Sequence, residues 1–294
     1  MDNETIRSAT ADDLPALYDI WYHSEIAGDP IAPPRGPWPW LAHELATGEL
    51  LLAEQDGTAL GFAATITRGG VTFLSDCFVR TDAQSGGIGR RLLEQLLAGD
   101  GRICCTSSSS DPRAQSLYIR AGMRPRWPLF ILDAEAGSVR TMPAGGVELV
   151  EGRAGDPELA AWDAAVGGRR RLEEHAYWVD YHQAIPLWFY RDGRAVGYGY
   201  AQRHSPELLR RPDTLTLGPI GARNEQDALA CVAAAVGWAT RHAPAIHIGV
   251  PGPHAALAAL LEARFQISDT DTFLSSAQPF CDPECYIPSG GTFF

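Results

Sequence analysis

Gln84-Ser85-Gly86-Gly87-Ile88-Gly89 decides how this chain is read. Before it runs Val71-Thr72-Phe73-Leu74-Ser75-Asp76-Cys77-Phe78-Val79, whose composition predicts a strand. After it runs Arg90-Arg91-Leu92-Leu93-Glu94-Gln95-Leu96-Leu97, whose apolar spacing predicts a helix. Strand, glycine-rich turn and helix together make an anion site. Glycine permits a tight turn and a close backbone approach. The helix start offers unpaired N–H groups at the positive end of its dipole. A pyrophosphate is the natural guest of such a turn, although a turn of this kind standing alone reads equally well as a plain chain reversal.

Here a second pattern follows, Asp111-x-x-Ala114-x-x-Leu117-Tyr118-x-x-x-Gly122-Met123. Together with Gln84-x-x-Gly87-x-Gly89 it resembles the two signatures of the Gcn5-related N-acetyltransferase (GNAT) superfamily, in the family's order and at about its spacing. Two departures stand out. Asp111 replaces the usual asparagine, losing an amide donor, and Met123 replaces the usual phenylalanine, a mild core exchange. The resemblance implies an α/β fold of the mixed α+β kind, with a mostly antiparallel central sheet and flanking helices. It also implies acetyl-CoA as cosubstrate.

The element order read from the pattern is β-α-α-β-β-β-α-β-α-β over residues 4–133. Thr10 with Asp13 makes a helix start, Asp56-Gly57 a hairpin turn, and Asp111-Pro112 a capped helix opening. Residues 134–146 read as a linker. The chain then repeats itself in outline: Leu187-Trp188-Phe189-Tyr190, the Asp192-Gly193 turn and Ala195–Tyr200 parallel Leu50–Ile66, and Ala255–Phe265 parallels Ala114–Met123. In place of the glycine loop stands Ala222-Arg223-Asn224-Glu225-Gln226-Asp227, where two carboxylates would repel phosphates. The expected organisation is a GNAT domain over 1–134, a degenerate GNAT-like copy over 147–280, and a tail over 281–294. That tail ends Thr292-Phe293-Phe294 and would dock on the body, with a homodimer contact as the other reading.

Composition narrows the function classes. A chain of 294 residues favours two domains, and 45% apolar with 20% charged residues describes a globular protein. No apolar run reaches membrane-spanning length, and Met1-Asp2-Asn3-Glu4-Thr5 has no signal-peptide pattern, so a cytoplasmic location is the expectation. The net charge of −12 argues against nucleic acid as a partner, and all 24 basic residues are arginine. Cys281-x-x-x-Cys285 lacks a second ligand pair, so no metal site is expected.

Acyl transfer from a thioester to an amine needs a held thioester, a neutral amine, a stabilised oxyanion and a proton for the leaving thiolate. The resemblance places the pantetheine against the backbone of Phe78 and Val79, as an added strand. The pyrophosphate would meet the N–H groups of Ser85, Gly86, Gly87, Ile88, Gly89 and Arg90, with Gln84 and Asp111 completing the cofactor set and Arg90 or Arg91 adding charge. Tyr118 is the expected general acid. Asp76, three residues before Val79, is the candidate base, with a structural carboxylate at a bulge as the equal alternative; His23 and Glu25 are weaker candidates for the base. Ser107-Ser108-Ser109-Ser110 would contact pantetheine or substrate, or form a capped polar turn from strand to helix, and the loop bearing Trp38 and Trp40 would cover the acceptor or pack the two halves together. The leading expectation is an acetyl-CoA-dependent N-acetyltransferase acting on a small-molecule or peptide amine by direct attack. The alternative is a non-catalytic acyl-CoA-binding or interaction protein.

Overall fold

The computed structural model describes residues 4–25, 39–99, 101–203, 213–278 and 280–290. The first half runs β1 (Glu4–Ser8), α1 (Leu14–Glu25), α2 (Pro39–Thr47), β2 (Glu49–Gln55), β3 (Thr58–Arg68), β4 (Val71–Val79), α3 (Ile88–Leu96), β5 (Ile103–Ser108), α4 (Pro112–Arg120) and β6 (Arg124–Glu135). That is the order expected from the sequence. The local signals act as read: the Asp13 carboxylate accepts from the Thr10 N–H at 2.7 Å, and Asp56 and Gly57 both take positive φ, 50° and 77°, as a tight hairpin turn requires.

The second half runs β7 (Glu148–Glu151), α5 (Pro157–Val166), α6 (Leu172–Tyr181), β8 (Ile185–Arg191), β9 (Arg194–Gln202), β10 (Thr214–Ala222), α7 (Glu225–Ala239), β11 (Ala245–Pro251), α8 (Ala256–Glu262), β12 (Gln266–Ser275) and β13 (Tyr286–Ile287). The sequence reading did not anticipate α6, β11, β12 or β13. α6 starts at Arg171 with no capping side chain, so it lacks the usual start signal.

The chain forms two compact units that are not consecutive halves: 1–106, 111–124 and 274–277 make one, and 107–110, 125–273 and 278–294 the other. In the first unit β1, β2, β3 and β4 pair antiparallel in sequence, and β5 runs parallel to β4. The segment 274–277 joins this unit through Ser276, whose N–H donates to the Cys104 carbonyl at 2.8 Å and whose hydroxyl accepts from the Cys104 N–H at 2.9 Å. Its core packs Leu92, Leu93 and Leu96 of α3 and Tyr118 and Met123 of the α4 region against Ala53, Ala63 and Leu74. Met123 is fully buried, as a core exchange for an aromatic should be.

The second unit repeats the plan. β7, β8, β9 and β10 pair antiparallel, β11 runs parallel to β10, and β6 pairs antiparallel with β11 from Ala245↔Glu135 to Pro251↔Leu129. Both units therefore show the mixed, mostly antiparallel α/β architecture expected. Among the described residues, no helix is long and apolar enough to cross a membrane.

Candidate active site

The glycine loop leads into α3 through a turn with two positive-φ residues. Ser85 and Gly87 both take positive φ, 71° and 81°, the kind of backbone turn from which anion-binding N–H concavities are made. Gly87 is the N-cap of α3 and no side chain caps it, so the first-turn N–H groups are left for an outside acceptor. Gly89 fits close packing instead: a Cβ there would meet Leu117 at 3.3 Å and Val79 at 3.7 Å. The donor set and its exposure fit a pyrophosphate.

Several side chains expected at the cofactor hold the loop in place. Gln84 donates through Nε2 to the Val79 carbonyl at 3.1 Å and accepts from Arg113 at 2.8 Å. Asp111 caps α4 by accepting from the Arg113 N–H at 2.8 Å, and the Arg113 guanidinium grips the same carboxylate and holds it below the usual range. The arrangement explains the exchange of asparagine for aspartate: the carboxylate serves a cap and an arginine. Arg90 pairs with Glu94 at 2.6 Å, and Arg91 pairs with Glu4 and with the Gly86 carbonyl.

Beyond the loop, β4 carries an unpaired edge. Its ladder with β5 runs from Val71↔Ile103 to Phe73↔Cys105, and the next bond, from the Thr106 hydroxyl to the Leu74 carbonyl at 2.8 Å, ends it. Among the described residues, Ser75 to Val79, including Phe78 and Val79, have a strand partner only on the β3 side. Opposite this edge, Tyr118 on α4 is buried, yet no protein group among the described residues hydrogen-bonds its hydroxyl. Burial pushes its pKa well above 10, and the nearby Cys77 and Asp76 add to the shift. The phenol therefore keeps its proton at neutral pH.

Asp76 lies at a β-bulge. Ala64 pairs with Asp76 and Thr65 with Leu74, which leaves Ser75 as the extra residue. The carboxylate does not cap backbone groups there. It accepts from the Trp40 indole Nε1 at 3.1 Å. Burial raises its pKa to about 6, with the Glu25 charge contributing, while the Trp40 hydrogen bond pulls the other way. Glu44 of α2, which sequence reasoning passed over, is fully buried and lies close to Asp76. Burial, and then the charge of Asp76, push it well above the usual glutamate range. Cys77 is pushed up to about 12 by burial and by Asp76. Trp21, Trp40 and Tyr18 pack together here, with centroids 4.8 Å apart for the tryptophans and 5.6 Å for Tyr18 and Trp21.

Other sequence candidates fall elsewhere. His23 is exposed and bonded to the Asp19 carbonyl at 2.7 Å. The hydroxyls of Ser107 and Ser108 meet Asp271 at 3.2 Å and the Ser109 carbonyl at 3.1 Å. Trp38 and Thr292-Phe293-Phe294 lie outside the described residues. A groove of about 520 Å³ between α3 and α4 is lined by Arg90, Leu93, Leu97, Leu117 and Arg120, and neither Asp76, Glu44 nor Tyr118 lines it.

The second unit has closed both features. Asn224 caps α7, its side chain accepting from the Asp227 N–H at 2.9 Å. β10 leaves β11 after Thr216↔His247, and β13 takes the vacated edge through Ile220↔Ile287 and Gly221↔Tyr286. The Ala222 N–H donates to the Cys285 carbonyl at 3.1 Å, and Gln202 donates to the Ser289 carbonyl at 3.2 Å. The expected docking of the tail is thus found for residues 285–289, which are buried.

Residues 46–124 match the family described as acetyltransferase (GNAT) domain. A putative acetyltransferase from Pyrococcus horikoshii has the same fold over 100% of this chain and 97% of its own, at 17% identity and a TM-score of 0.75. A tandem GNAT protein from the clavulanic acid biosynthesis pathway matches over 94% of this chain and 98% of its own, at 15% identity and a TM-score of 0.61. The glucosamine N-acetyltransferase region of a fungal multi-domain β-N-acetylglucosaminidase matches over 94% of this chain and 38% of its own, at 13% identity and a TM-score of 0.70. No curated protein matches the sequence.

Proposed function

We propose, from the match of residues 46–124 to the acetyltransferase (GNAT) domain and the likeness of 94% of the chain to a tandem GNAT protein, that this protein transfers an acetyl group from acetyl-CoA to a primary amine. The observation that carries this reading is the pairing of a buried, partner-free phenol with a carboxylate raised to about 6 beside an open strand edge. Acetyl-CoA, when bound, supplies the activated acyl group. The N–H groups of residues 85–90 would hold its pyrophosphate, and the free edge of Phe78 and Val79 its pantetheine. Asp76, ionised above about pH 6, accepts the proton of the attacking amine. Tyr118, still protonated, donates to the departing thiolate. The Cys77 thiol stays protonated at neutral pH, which favours direct attack over a cysteine-bound acyl enzyme. A pure acyl-CoA binder would need neither the raised carboxylate nor the free phenol.

Thiol release from acetyl-CoA across a panel of amines, amino sugars and peptide termini tests the reading; no release with any amine, in a protein that binds acetyl-CoA, would favour the binding protein. Tyr118→Phe is expected to lower kcat by about 100-fold while leaving acetyl-CoA binding within about 2-fold. Equal turnover in the two proteins removes the acid role. Titration calorimetry should give one acetyl-CoA per chain, because β13 fills the second unit's edge and Asn224 closes its helix. Two equivalent sites would overturn that assignment.

A further inference from the structure

Trp40 and Glu44 lie four residues apart on α2, hence on one face, and both are buried, with Glu44 at 0% exposure. Trp40 reaches Asp76 at 3.1 Å. Neither Glu44 oxygen has a hydrogen bond of ordinary geometry among the described residues, the nearby Ser75 hydroxyl only weakly favouring its charged form, and no basic side chain among those residues pairs with either carboxyl. The other groups around the pair supply no positive charge: Glu25 and Tyr18 from α1, Ser75 and Cys77 from β4, and Tyr118 from α4. Arg68 of β3 is turned to the Thr47 and Thr67 carbonyls, each 3.0 Å away, and His43 of α2 lies 3.4 Å from the Thr47 hydroxyl. The Ser75 hydroxyl donates to the Ala64 carbonyl at 3.3 Å. A buried carboxylate without donor or counter-charge does not stay ionised. By keeping its proton, Glu44 becomes a donor, and the acceptor on its side of α2 is Asp76, which Trp40 of the same helix face already reaches.

We propose that Glu44 is a positioning residue for the base: it retains the single proton of a two-carboxyl pair and donates it as a hydrogen bond to Asp76, which is left as the ionised member. The proposal rests on Asp76 acting as the base. Two adjacent buried carboxyls cannot both ionise, so the pair carries one negative charge at neutral pH. Trp40 and Glu44 fix the direction in which Asp76 presents its remaining lone pairs. The raised Glu44 value and the Asp76 value of about 6 agree with this division of the proton.

The Trp40 indole N–H resonance, assigned by Trp40→Phe, reports Asp76 ionisation in the protein without acetyl-CoA. In the wild type it should titrate near pH 6, and the Glu44 carboxyl ¹³C resonance should stay at its protonated position through pH 7. Glu44→Gln, which mimics the protonated acid, should keep the indole midpoint within about half a unit; Glu44→Met, which removes the donor, should raise it by about one unit. The acid limb of kcat/KM should follow the same pattern. A fall of about one unit in Glu44→Gln would mean that Glu44 was the charged member, and an unchanged midpoint in Glu44→Met would mean no hydrogen bond; either overturns the proposal. The wild-type ¹³C measurement decides independently of whether the variants fold. If the indole follows the expected pattern but the activity limb does not, the hydrogen bond stands and the base role of Asp76 falls.

Discussion

Gly87→Glu is expected to weaken acetyl-CoA binding by at least about 100-fold while leaving the protein folded. Two effects act together. Gly87 holds φ at 81°, where a side chain costs about 1–2 kcal/mol. The new carboxylate would sit at the N-cap of α3, the place proposed for phosphate, and beside first-turn N–H groups that no side chain caps it would satisfy the donors itself. The fold should survive, because the nearest atom to a Cβ at this position is an Arg91 guanidinium nitrogen 3.7 Å away. Gly87→Ala separates the effects: it carries the strain without the charge and should lose at most about 5- to 30-fold, the share that about 1–2 kcal/mol corresponds to. Calorimetric titration with acetyl-CoA measures both. Unchanged affinity in Gly87→Glu would show that the anion binds somewhere other than this loop.

Arg171→Met is expected to destabilise the second unit by about 3–5 kcal/mol, a large part of an ordinary domain's stability. Arg171 and Asp163 are a fully buried, two-pronged pair, with Nε and Nη2 donating at 2.8 and 2.7 Å. Tyr198 donates to the same carboxylate at 2.6 Å and His175 lies 3.1 Å from it, while Arg171 also reaches the Tyr286 hydroxyl and stacks 4.7 Å over Trp178. Burial works to raise the Asp163 pKa, but Arg171, helped by His175, overrides it and holds the group below its ordinary value. Removing the arginine strands a buried charge. Because the folded value lies below the unfolded one, the pair's contribution is present above about pH 4 and is lost as the pH falls below it. Urea unfolding at pH 7 reads the loss. Arg171→Met with Asp163→Leu should recover part of it, since the pair removed together leaves no stranded charge. A single-variant effect under about 1 kcal/mol would mean that water reaches the site.

Local signals in the chain carried much of this. The Asp56-Gly57 turn, the Thr10 and Asp111 helix starts, the element order of the first half and the uncapped glycine turn before α3 all follow from short-range backbone geometry, in which residue type fixes φ or supplies a hydrogen bond a few positions away. Tyr118 and Asp76 could be singled out because each sits in a pattern anchored to such a signal. Long-range pairing set the rest. Nothing local distinguishes Glu44 from a surface glutamate, and its burial against Asp76 exists only once α2 lies beside the β4 bulge. Gln84 and Asp111 read as ligand contacts in isolation, yet Arg113 joins them to each other in the folded chain. Likewise β6 and the segment 274–277 each belong to the unit that does not hold most of their own half of the chain, and β13 closes an edge whose opening could not be read from its own residues. Sequence by itself determined the turns, the caps and the loop chemistry, because those are written in neighbouring residues. Which carboxyl is buried, which strand completes which unit and which of two strand edges stays open were decided by tertiary contacts, because burial and strand pairing arise between residues that meet only after folding.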